Sequence, residues 1–163
     1  VAGSRGSVIP YFKRLIKDGV RSLPITHPEM TRFIITLEQG VELVINTLNL
    51  MHGGEIIVPK LPSIKIKDLI PILGPDLSFD IVGVRPGEKI HETMIPVEEA
   101  RNTVDLGKYF IVQPNHYWWN MSEFKKIVEK KGNPMEIKAY SSDSNTEWLS
   151  LSQLNNLVKT IKI

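Results

Sequence analysis

One short stretch, residues 83–92 with the sequence Gly-Val-Arg-Pro-Gly-Glu-Lys-Ile-His-Glu, constrains this chain more than any other. It follows the apolar pair Ile81 and Val82, which is typical of a strand, and its Pro-Gly centre predicts a turn. Proline fixes φ at about −65° and Gly87 tolerates a positive φ, so the turn would place Arg85 and Glu88 on either side. The planar guanidinium of an Arg donates hydrogen bonds in a geometry that matches phosphate oxygens. A nearby carboxylate accepts hydrogen bonds from sugar hydroxyls or holds the Arg side chain in one orientation. The stretch therefore suits a polar ligand, although on its residues alone a solvated cluster of surface ion pairs is the favoured interpretation.

The composition is that of an ordinary globular chain, with 163 residues, 42% hydrophobic and 23% charged. The formal net charge of +2 comes from interspersed charges, so we expect no nucleic-acid partner. The absence of cysteine excludes disulfides and thiolate metal sites, and the four histidines are scattered, so we expect no bound metal. No apolar run reaches the length of a membrane span and no signal peptide is recognisable. We therefore expect a cytoplasmic protein without membrane contact.

Short apolar runs typical of strands and patterns typical of helices both occur along the chain. A first helix should be capped by Ser7 and carry an apolar face made of Ile9, Phe12, Leu15 and Ile16. Strands are expected at residues 23–26, 33–36, 55–59, 78–82 and 109–114. Further helices are expected at residues 37–51, 66–73, 121–131 and 151–161.

Two capping boxes mark helix starts, one at residues 36–39 and one at residues 150–153. Pro71 should kink or shorten its helix, at about 3 kcal/mol, unless it falls in the first turn. The aromatic cluster 117–119 could stack a base, but we interpret it as a packing anchor for the tail. After the first capping box an apolar stripe recurs at helical spacing, and we expect it to be core: Val41, Val44, Ile45, Leu48 and Met51.

Several motifs in this chain resemble those of one family. They are residues 83–92, the Gly-Ser-Arg-Gly-Ser-Val-Ile-Pro of residues 3–10, the Thr-x-Pro-x-Met-Thr-Arg-Phe of residues 26–33, the Ile-Pro-x-x-x-Ala-Arg-Asn-Thr of residues 95–103, and residues 140–149. Their order is similar to that in the inverting UDP-N-acetylglucosamine 4,6-dehydratases, in the polysaccharide-biosynthesis branch of the extended short-chain dehydrogenase/reductases. The resemblance implies the C-terminal, substrate-binding portion of that α/β fold, without its Rossmann part. We expect one partial domain, residues 1–163, with a core at 1–114 and an aromatic and helical tail at 115–163.

The resemblance implies the reaction of an NADP-dependent lyase. The cofactor oxidises C4 of the sugar, water is eliminated across C5 and C6, and hydride returns to C6 with inversion at C5. The product would feed nonulosonic acids such as pseudaminic acid, or capsule sugars. Arg32 and Arg85 would clamp the UDP diphosphate, and Glu88 would meet the ribose hydroxyls or orient Arg85. On its residues alone, Arg32 beside Phe33 would be interpreted as a surface side chain packed along its stem.

The remaining site residues implied by the resemblance are apolar. Ile9 and Phe12 would flank the uracil, and Val1 would lie beside the nicotinamide. No catalytic residue is assigned, because the chain contains neither a Gly-x-Gly-x-x-Gly turn nor a Tyr-x-x-x-Lys pair.

Three hypotheses about function remain open. In the first, the chain is part of a working dehydratase. In the second, it is part of an enzyme with another activity of the same superfamily, a UDP-sugar 4-epimerase or a retaining dehydratase. In the third, it is a truncated remnant without catalysis or a binding module. The tail from Ser142 to Leu149 argues against the second. We expect a homo-oligomer in the full enzyme and no turnover from the isolated chain, whose apolar helix faces would promote aggregation.

Overall fold

A computed structural model describes residues 1–51, 53–114, 126 and 132–161. The chain forms two compact units: unit 1 comprises residues 1–40, 61–92 and 142–163, and unit 2 comprises residues 41–60 and 93–141. These units cut across the expected division into residues 1–114 and 115–163, which stays a prediction. No helix in the described part is long and apolar enough to cross a membrane.

Short helices and strands alternate along the chain, which confirms the expected α/β class. The described helices are α1 (Val8–Lys17), α2 (Leu37–Leu50), α3 (Leu69–Leu73), α4 (Val97–Ala100) and α5 (Leu151–Thr160), with a 3-10 turn at Ile66–Asp68. The described strands are β1 (Ser22–Ile25), β2 (Thr31–Phe33), β3 (Ile56–Pro59), β4 (Ser63–Lys65), β5 (Ser78–Ile81), β6 (Thr93–Ile95), β7 (Thr103–Asp105), β8 (Tyr109–Val112), β9 (Asn133–Pro134) and β10 (Tyr140–Ser141).

Unit 1 is built on two small sheets. Strands β1 and β5 pair in parallel, with Ile25 opposite Ile81, and β2 and β4 pair antiparallel, with Arg32 opposite Ile64. Helices α1, α3 and α5 bring apolar residues to these strands. The resulting core consists of Ile9, Phe12, Leu23, Ile25, Met30, Ile34, Ile64, Ile66, Leu69, Ile70, Leu154, Val158 and Ile161. Burial of this apolar surface is the main stabilising contribution to unit 1.

Unit 2 contains an antiparallel sheet of four strands in the order β3-β8-β7-β9, and a second pair, β6 and β10. Ile111 is buried in the larger sheet against Ile57 and Leu106. On the same sheet, the Lys60 ammonium donates to Asp105 Oδ2 at 2.7 Å.

Local sequence signals are confirmed where they rest on backbone chemistry. Thr36 and Gln39 bond reciprocally, Thr36 N–H to Gln39 Oε1 at 2.9 Å and Gln39 N–H to Thr36 Oγ1 at 3.2 Å. Ser150 and Gln153 form the second capping box at the start of α5. Pro71 lies in the first turn of the five-residue α3, where its missing N–H has no intrahelical acceptor to lose. Helix α1 begins after Ser7 as expected, although the Ser7 hydroxyl donates to Ser4 O instead of capping the helix.

Two expectations from the sequence, one about β2 and one about α2, are wrong. The strand expected at residues 33–36 is β2, Thr31–Phe33, because pairing with β4 selects the earlier residues. The α2 stripe (Val41, Val44, Ile45, Leu48 and Met51) is exposed and not core, with Leu48 at 66% and Val44 at 59%. Its helical spacing predicted an apolar face correctly, but a sequence period does not say what covers that face.

Two further expectations fall outside the described residues. They are the aromatic cluster at residues 117–119 and the charged helix expected at residues 121–131.

Candidate functional site

A cavity of about 430 Å³ opens in unit 1, within the range of small-molecule sites. It lies between the start of α1, the end of β1, strand β2 and the turn that follows β5. All six side chains predicted from the sequence to contact substrate or cofactor line this cavity: Val1, Ile9, Phe12, Arg32, Arg85 and Glu88. The structure thus brings together residues that are far apart in the chain, and their individual roles stay predictions.

The parallel pairing of β1 and β5 explains where the polar end of the cavity forms. Because the strands run in the same direction, the residues that follow them leave the same edge of the pair. Val82 N–H continues the ladder by donating to Ile25 O at 2.9 Å. Thr26 and the turn at residues 83–88 therefore lie side by side. Ligands of α/β proteins commonly bind at the carboxyl ends of parallel strands.

The turn itself has the geometry that its glycines and proline predicted. Gly83 and Gly87 have φ values of 82° and 79°, which residues with a Cβ rarely adopt. Glu88 N–H donates to Arg85 O at 3.0 Å, and Arg85 N–H donates back to Glu88 Oε2 at 3.2 Å. The Glu88 carboxylate thus closes the turn through the Arg85 backbone and leaves the Arg85 guanidinium unengaged.

The second oxygen of Glu88 has a partner in Thr26, the residue that follows β1. Thr26 Oγ1 donates to Glu88 Oε1 at 3.1 Å, although the two residues are distant in sequence. Both oxygens of the half-buried Glu88 are therefore oriented by fixed donors. An ionised carboxylate offers about four acceptor positions, so about two remain for a ligand.

Arg32 is held firmly at the floor of the cavity. Its Nη1 donates to Thr31 O at 2.7 Å and Ile90 O at 2.9 Å, and its Nη2 donates to Lys89 O at 2.8 Å. Its Nε lies 3.4 Å from Glu92 Oε1. Arg32 carries five N–H groups, so in this conformation it presents one N–H to a ligand and not a two-pronged fork.

Arg85 differs from Arg32 in its exposure and in its hydrogen bonding. Its side chain is exposed, and among the described residues its guanidinium has no hydrogen-bond or ion-pair partner. All five of its N–H groups are thus available for an anion that enters the cavity.

The apolar end of the cavity differs from the sequence expectation in one point. Ile9 and Phe12 are only 1% and 2% exposed, so they form the wall from within the core and offer a ligand little surface. Tyr11, which sequence reasoning missed, is 42% exposed and its ring lies 5.9 Å from that of Phe12. Val1 is 59% exposed where it borders the cavity.

A buried hydroxyl pair supports the strand that carries Arg32. Ser142 Oγ lies 2.7 Å from Thr31 Oγ1 and accepts from Glu92 N–H at 2.9 Å, while Ser142 N–H donates to Glu92 O at 2.8 Å. Thr31 Oγ1 also lies 2.8 Å from His91 Nδ1. The segment that begins at Ser142 therefore fastens residues 91 and 92 to β2.

The same segment is fastened to β4 by Asn145. Its side-chain N–H groups donate to Leu61 O at 2.8 Å, Ser63 Oγ at 3.0 Å and Glu147 O at 2.9 Å. The motif at residues 140–149, which the sequence singled out, thus contains two residues, Ser142 and Asn145, that tie it to β2 and β4; we call this pair the clasp.

Away from the cavity, an exposed ion-pair cluster joins the loop before β2 to β4. The Lys65 and Lys67 ammonium groups each donate to Glu29 at 2.9 Å, and these bonds lower the pKa of Glu29 from 4.5 to about 2. Within the described residues, no three His, Asp or Glu side chains come together as a metal-ligand set.

Comparison with known proteins fixes the family. The sequence profile of a polysaccharide biosynthesis protein family matches residues 1–114. This chain belongs to that family.

Two similar proteins carry the names of UDP-sugar enzymes. The chain is 43% identical over 161 residues to a UDP-N-acetylglucosamine 4,6-dehydratase (inverting) of Campylobacter jejuni. The aligned region covers 97% of this chain and 48% of the relative. It is 34% identical over 165 residues to a UDP-glucose 4-epimerase of Rickettsia typhi. That aligned region covers 99% of this chain and 47% of the relative. The chain thus spans about half the length of these relatives.

The fold also has a counterpart among solved structures. The X-ray structure of Pen from Bacillus thuringiensis superimposes with a TM-score of 0.79 at 28% sequence identity, over 98% of this chain and 47% of that one. The mixed arrangement of short helices and strands is therefore shared with a longer protein.

Proposed function

We propose that this member of the polysaccharide biosynthesis family is the substrate-binding half of a nucleotide-sugar lyase, an inverting UDP-N-acetylglucosamine 4,6-dehydratase of the extended short-chain dehydrogenase/reductase type. The observation that carries the proposal is that Arg32, Arg85 and Glu88 line one and the same cavity of unit 1. The relative from Campylobacter jejuni, 43% identical, supports the choice of reaction through its name.

The charges around the cavity indicate how a UDP-sugar would lie. Its diphosphate is an anion, so it belongs beside Arg85, whose exposed guanidinium offers a planar fork, and within reach of the one available N–H of Arg32. The Glu88 carboxylate repels phosphate but accepts from hydroxyl groups. The ribose of UDP, which carries two neighbouring hydroxyls, therefore belongs beside Glu88.

The uracil belongs at the apolar end of the cavity. Ile9 and Phe12, which the resemblance places beside the uracil, back this wall from the core, and the exposed ring of Tyr11 offers the larger accessible apolar surface. A flat base gains from contact with an aromatic ring that is already held in place by its neighbours.

The proposed cofactor is NADP, and this chain would contribute little to holding it. Val1 is exposed at the border of the cavity, and its apolar surface fits the flat face of a nicotinamide. When bound, the nicotinamide supplies reversible hydride transfer at the sugar. The chain's own residues bind and orient the UDP-sugar, and because no Tyr-x-x-x-Lys pair is present we expect no turnover from the 163-residue chain.

A UDP-sugar 4-epimerase is the second candidate. The Rickettsia typhi relative, named UDP-glucose 4-epimerase, matches 99% of this chain at 34% identity. Both candidates need the same diphosphate and ribose contacts, so the cavity alone does not separate them. A non-catalytic binding module would use these contacts too. A cytoplasmic homo-oligomer that supplies nonulosonic acid or capsule synthesis remains the expectation for the full enzyme.

Substrate class is tested by isothermal titration of the purified chain with UDP, with CDP as the base control and uridine as the control without phosphates. We expect UDP to bind more tightly than uridine, because uridine has no anion for Arg85. Equally weak binding of UDP, CDP and uridine would contradict the substrate assignment.

Reaction type is tested in a chimera. The chain is fused behind the portion of the Campylobacter jejuni relative that precedes the matched region, and UDP-N-acetylglucosamine is supplied. Because the relative supplies the catalytic residues, a 4-keto-6-deoxy product supports a chain that presents the sugar for dehydration, and UDP-N-acetylgalactosamine supports one that presents it for epimerisation. A folded chimera that binds UDP and forms neither product would favour the binding module.

A further inference from the structure

Thr26 belongs to none of the site residues expected from the sequence, yet it contacts the carboxylate assigned to the ribose. It is the first residue after β1, and Glu88 ends the turn after β5, so the parallel pairing of the two strands brings both residues to the same end of the pair. The Thr26 hydroxyl donates to Glu88 Oε1 at 3.1 Å. Both side chains line the cavity.

The hydrogen bond from Thr26 fixes the orientation of the Glu88 carboxylate plane, which the turn alone leaves free to rotate. Arg85 N–H holds Glu88 Oε2 at 3.2 Å, which anchors one end of the carboxylate. A single anchor permits the carboxylate plane to rotate about that contact, whereas a second donor on the other oxygen sets the plane. Thr26 is half-buried, so its hydroxyl is partly protected from competition with water.

We propose that Thr26 is a positioning residue that holds the Glu88 carboxylate in the orientation in which it accepts from the ribose hydroxyls, and thereby makes the site select ribose over 2′-deoxyribose. This inference rests on the proposed UDP-sugar function. The carboxylate retains about two acceptor positions after bonding Thr26 and Arg85, and a vicinal diol supplies two donors. Removing one ribose hydroxyl would leave one of those acceptor positions without its partner.

The experiment compares dissociation constants for UDP and 2′-deoxy-UDP in wild type, Thr26→Val and Thr26→Ser. Valine keeps the branched shape and removes the hydroxyl, and serine keeps the hydroxyl. We expect wild type and Thr26→Ser to prefer UDP by about tenfold, the size of one hydrogen bond to a charged group. We expect Thr26→Val to lose most of this preference while its affinity for 2′-deoxy-UDP changes little. A purely structural role would weaken both nucleotides equally.

A second measurement requires no ligand. Exchange of the Arg85 backbone amide with deuterium, followed by NMR, should accelerate in Thr26→Val because the released Glu88 also loosens its bond to that amide. Thr26→Ser should exchange like wild type. Unchanged exchange in Thr26→Val overturns the positioning role whether or not a nucleotide binds.

The outcomes separate this inference from the function on which it rests. If wild type binds no UDP, the proposed function fails, and the ribose role fails with it. If wild type binds UDP but Thr26→Val keeps the full preference over 2′-deoxy-UDP, the proposed function stands and the role of Thr26 is refuted.

Discussion

Arg32 and Arg85 line the same cavity, but their guanidinium groups are held in opposite ways. Arg32 donates to three backbone carbonyls, those of Thr31, Lys89 and Ile90, whereas Arg85 is exposed and finds no partner among the described residues. One guanidinium is therefore mainly a structural tie between β2 and the segment after the turn, and the other is a free cation. The two residues should respond differently to substitution.

Replacing Arg85 with Ala should weaken UDP binding without affecting folding. A charge-assisted hydrogen bond contributes about 1.5–3 kcal/mol, which corresponds to roughly a 10- to 100-fold rise in Kd. The free energy of unfolding should change by less than about 0.5 kcal/mol, as is usual for surface substitutions. Isothermal titration and urea denaturation measure the two effects. Arg21→Ala, which removes an exposed Arg outside the cavity lining, is the matched control. An Arg85→Ala variant with wild-type affinity would refute the assignment of the diphosphate.

Replacing Arg32 with Ala should destabilise unit 1 in addition to weakening UDP binding. Three carbonyl acceptors in a half-buried position lose a charged donor, and we expect a loss of about 2–4 kcal/mol in the free energy of unfolding. Lysine at this position cannot span three acceptors with the same planar geometry, so Arg32→Lys should recover only part of the loss. Urea denaturation beside Arg85→Ala checks this prediction. Equal stability of the two alanine variants would show that the Arg32 guanidinium does not tie β2 to the segment after the turn.

Replacing Ser142 with Ala should lower stability because the Ser142 side chain is fully buried. The change leaves Glu92 N–H without its hydroxyl acceptor and removes one partner of Thr31, at about 1–3 kcal/mol in the free energy of unfolding. Ser144→Ala is the matched control, because Ser144 is exposed in the same segment. The measurement is thermal or urea denaturation of both variants. Identical curves for the two would mean that the clasp contributes nothing to stability.

The exposed α2 stripe should make the isolated chain associate. Contiguous exposed apolar surface of this kind promotes aggregation, and Val44 and Leu48 are the most exposed of its five residues. The double variant Val44→Glu/Leu48→Glu should reduce self-association with little change in the melting temperature, because most of the surface of both side chains is already exposed. Light scattering after size exclusion reports the association. A wild type that stays monomeric at high concentration would contradict this prediction.

Sequence reasoning succeeded where the signal is local. The capping boxes at Thr36 and Ser150 and the positive φ of Gly87 follow from the chemistry of a few neighbouring residues. The stripe on α2 was recognised as apolar but assigned wrongly to the core, since periodicity describes one face of a helix and not its surroundings.

Relationships across long stretches of sequence could not be predicted in the same way. The bond from Thr26 to Glu88 exists only because β1 and β5 pair in parallel, and no local pattern encodes that pairing. The sequence suggested that Arg32 and Arg85 converge, but it could not show that carbonyls already occupy most donors of Arg32. The carboxyl-end rule for parallel strands would have identified Thr26 once the pairing was known.

The central claim, that the unit 1 cavity binds the UDP part of a nucleotide sugar, is tested most directly by titrating UDP into the isotopically labelled chain and following backbone amide shifts by NMR. We predict saturable shifts concentrated at residues 7–12, at Thr26 and at residues 85–88, the segments that line the cavity. No saturable shifts, or shifts confined to residues of unit 2, would contradict the account.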